Sequence, residues 1–176
     1  SLTFSFIINS EELSINKLSL LVGISIITGI QKAVNIRFKL KWPNDIMYKN
    51  KKLGGVLIEK KKSYYIIGIG LNVNDFIFDP SIKNRACSIH TITNNKISRE
   101  LIMAEIFNSY EKMVNKDLSQ IIKIWESFCN HMNTIVKFHH SNKIVSAEFA
   151  GLNKQGNAIM NINDNKKIFN SGIIEL

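Results

Sequence analysis

The segment 66–74, with the sequence IIGIGLNVN, constrains the fold more than any other part of this chain. Its apolar residues alternate with small or polar ones, which predicts a β-strand with one buried face. The opposite face would carry Gly68, Gly70, Asn72 and Asn74. Each glycine inside a strand costs roughly 0.5–1 kcal/mol, so two of them on one face favour a ligand that lies flat against the backbone. A bulge with polar surface residues is the alternative.

A phosphate-binding loop of the GxGxxG type is excluded at this segment, because the third glycine is missing and no helical pattern follows. The segment is therefore interpreted as one wall of a binding site. The asparagine amides beside the glycines could donate and accept hydrogen bonds to a polar ligand.

The composition is that of an ordinary globular protein. Of the 176 residues, 45% are hydrophobic and 21% are charged, which excludes a disordered, fibrous or coiled-coil chain. The net charge of +9 favours anionic partners such as nucleotides, phosphates or acidic proteins. We predict no nucleic-acid binding, because a dedicated binder would show more arginine interleaved with aromatic residues. The longest apolar run, 18–30, is too short to span a membrane.

The cysteine and histidine residues predict no metal site and no disulfide. Cys87 and Cys129 lie far apart and form no CxxC motif. Two unpaired thiols fit a reducing compartment, so a cytoplasmic location is expected. The chain starts at Ser1 and enters an apolar segment at once, which predicts that it is the interior of a longer protein.

The order of predicted elements suggests two domains. A strand at 2–8 and a helix at 14–34 precede strands at 37–42, 46–48, 53–59 and 64–73, followed by a loop at 75–96 and helices at 98–115 and 118–132. After residue 132 the predicted elements change from helices to short strands joined by tight turns, at 134–138, 143–152, 158–162 and 167–174. We predict one domain over 1–132 and a small β-barrel domain over 133–176.

A second group of residues that could bind a ligand or take part in catalysis precedes the glycine strand. The sequence KWPND occupies 41–45, and KLGGVLIE occupies 52–59. The glycine pair at the start of an apolar strand again lets a ligand approach the backbone. Lys52 supplies a cation suited to a phosphate or a developing oxyanion, and Asn44 is held in the turn after Pro43. The alternative is that Lys52 is one member of a solvated lysine run.

The motifs KWPNDI, KLGGVLIE and GIGLNVN, in this order and spacing, resemble the central domain of the biotin–protein ligase family. The segments 125–126, 151–156 and 171–176 resemble the small C-terminal domain of that family. The resemblance covers essentially the whole chain. It implies an α+β fold, with a mixed sheet and helices like those of the class II aminoacyl-tRNA synthetases, followed by an SH3-like β-barrel.

The resemblance also implies a reaction in two steps. Biotin and Mg²⁺-ATP would give biotinyl-5′-AMP and pyrophosphate, and a lysine of a biotin carboxyl carrier protein, from acetyl-CoA carboxylase or a similar enzyme, would then take the biotinyl group. By position in the motifs, Lys52 is the catalytic lysine, and the biotin-binding residues are Lys52, Gly55, Leu57, Gly68 and Gly70. Asn44 and Asn72 would face the nucleotide, with Lys41 and Asp45 behind them. No membrane partner is implied, and a homodimer is left open.

One family element has no counterpart in this sequence. Members carry a loop of the type GRGRxxRxW before the first strand, whereas the arginines here are Arg37, Arg85 and Arg99. We therefore expect an N-terminally truncated ligase. The alternatives are a truncated, catalytically impaired homologue that keeps only the fold and partial ligand binding, or a relative of the lipoate and octanoate transferases. The glycine pair after Lys52 favours the biotin branch.

The register of the strand at 53–59 is a test of this assignment. Strict alternation would place Lys52 on the face opposite to Gly55 and Leu57. The three residues can share one site only if Lys52 precedes the strand or is shifted by a bulge.

Overall fold

The computed structural model describes residues 1–9 and 13–176, which form an α+β fold. It contains two antiparallel sheets of five strands each. The first sheet comprises β1 (Leu2–Asn9), β2 (Lys39–Lys41), β3 (Asp45–Tyr48), β4 (Lys51–Lys61) and β5 (Tyr64–Leu71). The second comprises β6 (Ile135–His140), β7 (Lys143–Leu152), β8 (Ala158–Ile162), β9 (Asn165–Phe169) and β10 (Ile173–Glu175). The helices are α1 (Ile15–Ala33), α2 (Ile89–Thr93), α3 (Arg99–Met113) and α4 (Leu118–Phe128).

The first sheet has the strand order β1-β5-β4-β3-β2, and all of its strand pairs are antiparallel. The expectation of a mixed sheet is therefore wrong for the described strands. Parallel pairing is confined there to isolated bridges, Leu40 with Cys129 and Lys52 with Ala86. The short connections between β2 and β3, β3 and β4, and β4 and β5 explain the antiparallel pairing of these four strands, because tight turns join antiparallel strands.

The helices cover only one face of the first sheet. The Ser14 hydroxyl caps α1 by accepting a hydrogen bond from the Lys17 backbone, and the apolar body of this helix is buried against the sheet. On β1, the rings of Phe4 and Phe6 pack against Phe107 of α3 at centroid distances of 5.8 and 5.2 Å. In the part of the chain that the structure describes, the opposite face of β1, β5 and β4 carries no helix, and its residues Thr3, Ser5 and Leu57 are exposed.

The segment predicted as a loop at 75–96 contains the short helix α2. Ser88 begins this helix in a capping box, where the Thr91 backbone donates to its hydroxyl at 3.0 Å and its own backbone donates to the Thr91 hydroxyl at 2.9 Å. A helix of five residues is too short to show a helical period, so periodicity could not have identified it.

The second sheet has the strand order β10-β6-β7-β8-β9. The single strand predicted at 167–174 is two strands, β9 and β10, which occupy opposite edges. Within the described residues no ladder joins these edges, so the SH3-like barrel is not confirmed. The division into domains at residue 132 stays a prediction.

A buried cluster joins the second sheet to α4. His131 packs edge-on against Phe149 at a centroid distance of 4.3 Å and lies near Trp125 at 6.4 Å. The Glu126 carboxylate accepts a hydrogen bond of 2.9 Å from the Leu152 backbone. Burial lowers the pKa of His131 to about 4, with a smaller effect from the Lys41 charge. This histidine is therefore a neutral part of the core.

None of the helices in residues 1–9 and 13–176 is long and apolar enough to cross a bilayer.

Candidate active site

A bulge in β4 places Lys52 on the glycine face. Ile46 pairs with Gly54, but the next residue of β3, Met47, pairs with Lys52, so Leu53 is the extra residue. Leu53 and Gly54 are consequently buried side by side, which strict alternation forbids. Of the two predicted alternatives, the structure shows the bulge. It brings the Lys52 ammonium to within 3.5 Å of the position that a Cβ atom on Gly55 would take.

The open face of the sheet forms the floor of a pocket of about 320 Å³. One row across four strands consists of Thr3, Gly70, Gly55 and Asp45, which pair in that order. The next row consists of Ser5, Gly68 and Leu57. All five residues predicted to bind biotin, namely Lys52, Gly55, Leu57, Gly68 and Gly70, line this one pocket. Whether they bind biotin stays a prediction.

The glycines at the centre of the floor have space above them. A Cβ atom on Gly70 would meet no atom within 4 Å, and one on Gly68 would meet only ordinary contacts, the nearest being the Ser5 hydroxyl at 3.6 Å. Packing within the protein therefore does not require glycine at either position. The missing side chains instead leave a flat surface against which a ring system could lie.

An ion-pair series stands beside this floor. The Asp45 carboxylate binds the Lys52 ammonium through Oδ1 at 2.5 Å and the Lys41 ammonium through Oδ2 at 3.0 Å. The Lys41 and Asp45 side chains are 17% and 20% exposed, whereas that of Lys52 is 52% exposed. Lys41 and Asp45 were predicted to lie behind the binding residues. Asp45 contacts the predicted catalytic lysine, Lys52, and Lys41 contacts Asp45.

A cationic groove of about 1230 Å³ runs between the two sheets and shares Thr3, Lys52, Gly55 and Gly70 with the pocket. Its basic residues include Lys39, Lys41, Lys49, Lys52 and Arg85. Such a concentration of positive charge attracts a polyphosphate. Close to the groove, burial raises the pKa of the Cys87 thiol to about 11, so this cysteine remains protonated near neutral pH and is a poor nucleophile.

The two asparagines predicted to face the nucleotide do not lie together. Asn72 lines the cationic groove, and its amide donates to the Cys87 carbonyl at 3.1 Å. The Asn44 side-chain oxygen accepts a hydrogen bond of 2.6 Å from Ser19. Asn44 lines a separate pocket beside α1, on the other side of Leu57. The structure thus brings Asn72 to Lys52 but leaves the Asn44 side chain apart from it.

Sequence reasoning missed several residues of this site. Thr3 and Ser5 line the pocket from β1, and Lys39, Lys49 and Arg85 line the groove. The sequence predicted β1 as a strand, but only the pairing of β1 with β5 shows that Thr3 and Ser5 flank the glycines. Arg85 is brought in by its backbone, whose carbonyl accepts a hydrogen bond of 2.7 Å from the Lys52 N–H.

No group of three or more His, Cys, Asp or Glu side chains in the described ranges, 1–9 and 13–176, is arranged to hold a metal ion.

Sequence comparisons relate the chain to known ligases. The Biotin/lipoate A/B protein ligase family matches residues 1–74. The bifunctional ligase/repressor BirA of Bacillus subtilis is 29% identical over 171 residues, which are 91% of this chain and 53% of that protein. A biotin–[acetyl-CoA-carboxylase] ligase of Mycobacterium tuberculosis is 34% identical over 59 residues, 32% of this chain and 22% of that protein. The chain thus spans about half the length of its Bacillus relative.

The fold comparison agrees with the sequence comparisons. The biotin protein ligase of Aquifex aeolicus, solved in complex with biotin and ATP, superimposes with a TM-score of 0.86 at 29% identity. The match covers 98% of this chain and 76% of that one. The predicted family relationship is therefore confirmed: the chain is a homologue of the biotin protein ligases, and its residues 1–74 match the Biotin/lipoate A/B protein ligase family.

Proposed function

We propose that the protein activates biotin with ATP and attaches it, through biotinyl-5′-AMP, to a lysine of a biotin carboxyl carrier protein. One observation carries this proposal. The Lys52 ammonium stands at the junction of a glycine-floored pocket and a cationic groove. A cation at such a junction can contact a carboxylate from one side and a phosphate from the other.

The shape of the pocket supports biotin as the ligand. The fused rings of biotin need a flat, partly apolar surface, which Gly68, Gly70 and the backbone around them provide. Leu57 is 63% exposed and offers an apolar wall for the ring or the aliphatic chain. The aliphatic chain of biotin would place its carboxylate near Lys52. The Thr3 and Ser5 side chains add hydroxyl groups for polar ring atoms.

The charge of the groove supports ATP as the second substrate. Lys39, Lys49 and Arg85 can balance the triphosphate, while Asn72 supplies an amide at the end nearest to Gly70. Mg²⁺ is assigned to the substrate, as the usual companion of ATP. In the proposal, Asn44 reaches the nucleotide only if its side chain leaves Ser19.

The two steps demand charge stabilisation at the same place. In the first, a biotin carboxylate oxygen forms a bond to the α-phosphorus of ATP, and the bond to the β-phosphate bridging oxygen breaks to release pyrophosphate. In the second, the acceptor amine attacks the acyl carbon, loses a proton and displaces AMP. Negative charge grows on the α-phosphate oxygens and then on the acyl oxygen. A preorganised ammonium at Lys52 can stabilise both.

The proposed acceptor is the carrier domain of acetyl-CoA carboxylase or of a similar carboxylase. The Mycobacterium relative, which is named for that acceptor, supports this choice. We also propose that residues 133–176 form the small C-terminal domain, built as an SH3-like barrel. The change to five short strands after α4 supports that division.

Biotin-dependent exchange of pyrophosphate into ATP tests the first step. In the full-length protein we expect exchange, and Lys52→Ala should lower its rate by about 10²–10³, the usual cost of removing one preorganised charge donor. Lys61→Ala is the control, because Lys61 is an exposed lysine at the far end of the same strand. A full-length protein without exchange, or a Lys52→Ala variant as active as the control, contradicts the proposal.

A further inference from the structure

The Lys41 ammonium has partners in both sheets. It binds the Asp45 carboxylate in β3 at 3.0 Å, and it donates a hydrogen bond of 3.2 Å to the backbone carbonyl of Ile174 in β10. β10 is an edge strand of the second sheet, held there by β6. Since the Lys41 side chain is only 17% exposed, solvent competes weakly for its ammonium. This lysine therefore connects the edge of the second sheet to the start of β3, where Asp45 lies.

Asp45 passes this constraint on to Lys52. Its two carboxylate oxygens are divided between the two ammonium groups, with Oδ1 on Lys52 and Oδ2 on Lys41. A lysine side chain that is 52% exposed would otherwise sample many rotamers. Lys41 fixes the plane of the carboxylate, and that plane determines the direction from which Lys52 is held.

We infer that Lys41 is a positioning residue that acts on Lys52 through Asp45, with the Ile174 carbonyl as its anchor in the second sheet. The inference rests on the proposed function of Lys52. It gives the second sheet a part in the chemistry through the Ile174 carbonyl. Lys41 also borders the groove, so the rival role is a direct contact with the triphosphate.

A double-mutant cycle distinguishes the two roles. In full-length protein, Lys41→Met keeps the length of the side chain but removes its charge. The kcat for pyrophosphate exchange should fall about 10- to 100-fold, as expected for a displacement of the catalytic group on the order of 1 Å, while the KM for ATP stays within about twofold. In the Lys52→Ala background the same substitution should cost less than about twofold, because the group it positions is gone.

Two further variants serve as matched controls. Lys32→Met also removes an ion-paired lysine, the partner of Glu105 at 2.8 Å between α1 and α3, and it should leave kcat unchanged. Lys41→Arg keeps the charge and should retain clearly more activity than Lys41→Met. Hydrogen exchange at the β10 amides should quicken in Lys41→Met but not in Lys32→Met, and this readout does not depend on activity.

Three results would overturn the inference while leaving the proposed function intact. The first is an equal loss from Lys41→Met with and without Lys52. The second is a raised KM for ATP at unchanged kcat, which would show direct contact. The third is unaltered hydrogen exchange at the β10 amides in Lys41→Met, which would show that Lys41 does not hold β10. A wild-type protein without pyrophosphate exchange would instead refute the proposed function, and the inference with it.

Discussion

Gly54 in β4 and Gly70 in β5 are close neighbours with opposite surroundings. A Cβ atom on Gly54 would overlap the backbone carbonyl oxygen of Gly70 and approach the Leu71 side chain to 2.7 Å. A Cβ atom on Gly70 would meet nothing within 4 Å. The first glycine is required by the close approach of two strands at the bulge. The second is not required by any contact within the protein.

The difference separates a glycine that serves the fold from one that serves the site. Both belong to glycine-containing motifs that resemble the family, but the resemblance implied a binding role for Gly70 and none for Gly54. In the structure, Gly54 permits the bulge that brings Lys52 to the pocket, while Gly70 leaves the space that a ligand could fill. A substitution at Gly54 should therefore lower the stability of the protein, and a substitution at Gly70 should lower its affinity for the ligand.

Gly70→Val should have the largest effect on binding. A β-branched side chain would occupy the space proposed for the rings of biotin, so we expect the affinity for biotin, measured by calorimetry, to fall at least about 100-fold, or about 2.7 kcal/mol. The melting temperature should stay near that of the wild type, because valine is well suited to a strand. The control is Ile66→Val, on the same face of β5 but outside the pocket. Equal biotin affinity in both variants would contradict the comparison.

Gly54→Ala should have the largest effect on stability. Overlap with backbone at a buried position cannot be relieved by a rotamer change, and overpacking of this kind costs about 1–3 kcal/mol. Urea unfolding measures the loss. A variant as stable as the wild type would show that the bulge tolerates a side chain and that Gly54 and Gly70 do not differ as the structure indicates.

Acid should destabilise the fold through His131, which lies in the buried cluster that joins the second sheet to α4. The pKa of His131 is lowered to about 4, so between its ordinary value of about 6.5 and that value the unfolded chain binds the proton more readily. The free energy of unfolding should therefore decrease as the pH falls through this window, by up to about 1.4 kcal/mol per pH unit. His131→Gln should flatten that dependence, and an unchanged slope would refute the assignment. The glycine variants are best compared above pH 6.5.

The sequence predicted the glycine strand well, because alternation reports a half-buried strand directly. It also predicted that Lys52 must either precede the strand or be shifted by a bulge, because strict alternation would place it on the face opposite to Gly55 and Leu57. It could not predict that β1 lies beside the glycines of β5, because this pairing joins residues that are far apart in the chain. That is why Thr3 and Ser5 were missed, although their alternation was visible.

The remaining differences also have physical causes. The segment 75–96 was predicted to be a loop, but it contains α2. This helix begins with a capping box and is too short to show a hydrophobic period. The strand predicted at 167–174 is divided between two edges of the second sheet, a separation that only tertiary pairing sets. Asn44 was grouped with Asn72 by motif, but its hydrogen bond from Ser19 holds it towards α1.

Backbone amide chemical shifts during a titration with biotin test the central claim most directly, because the glycines of the pocket floor have no side chain to report contact. The proposal predicts that the largest shifts fall on Gly55, Gly68 and Gly70, with smaller shifts in the groove around Arg85. It also predicts that these shifts vanish in Gly70→Val while the rest of the spectrum is retained. No shifts on the pocket floor at saturating biotin, or shifts confined to the groove, would contradict it.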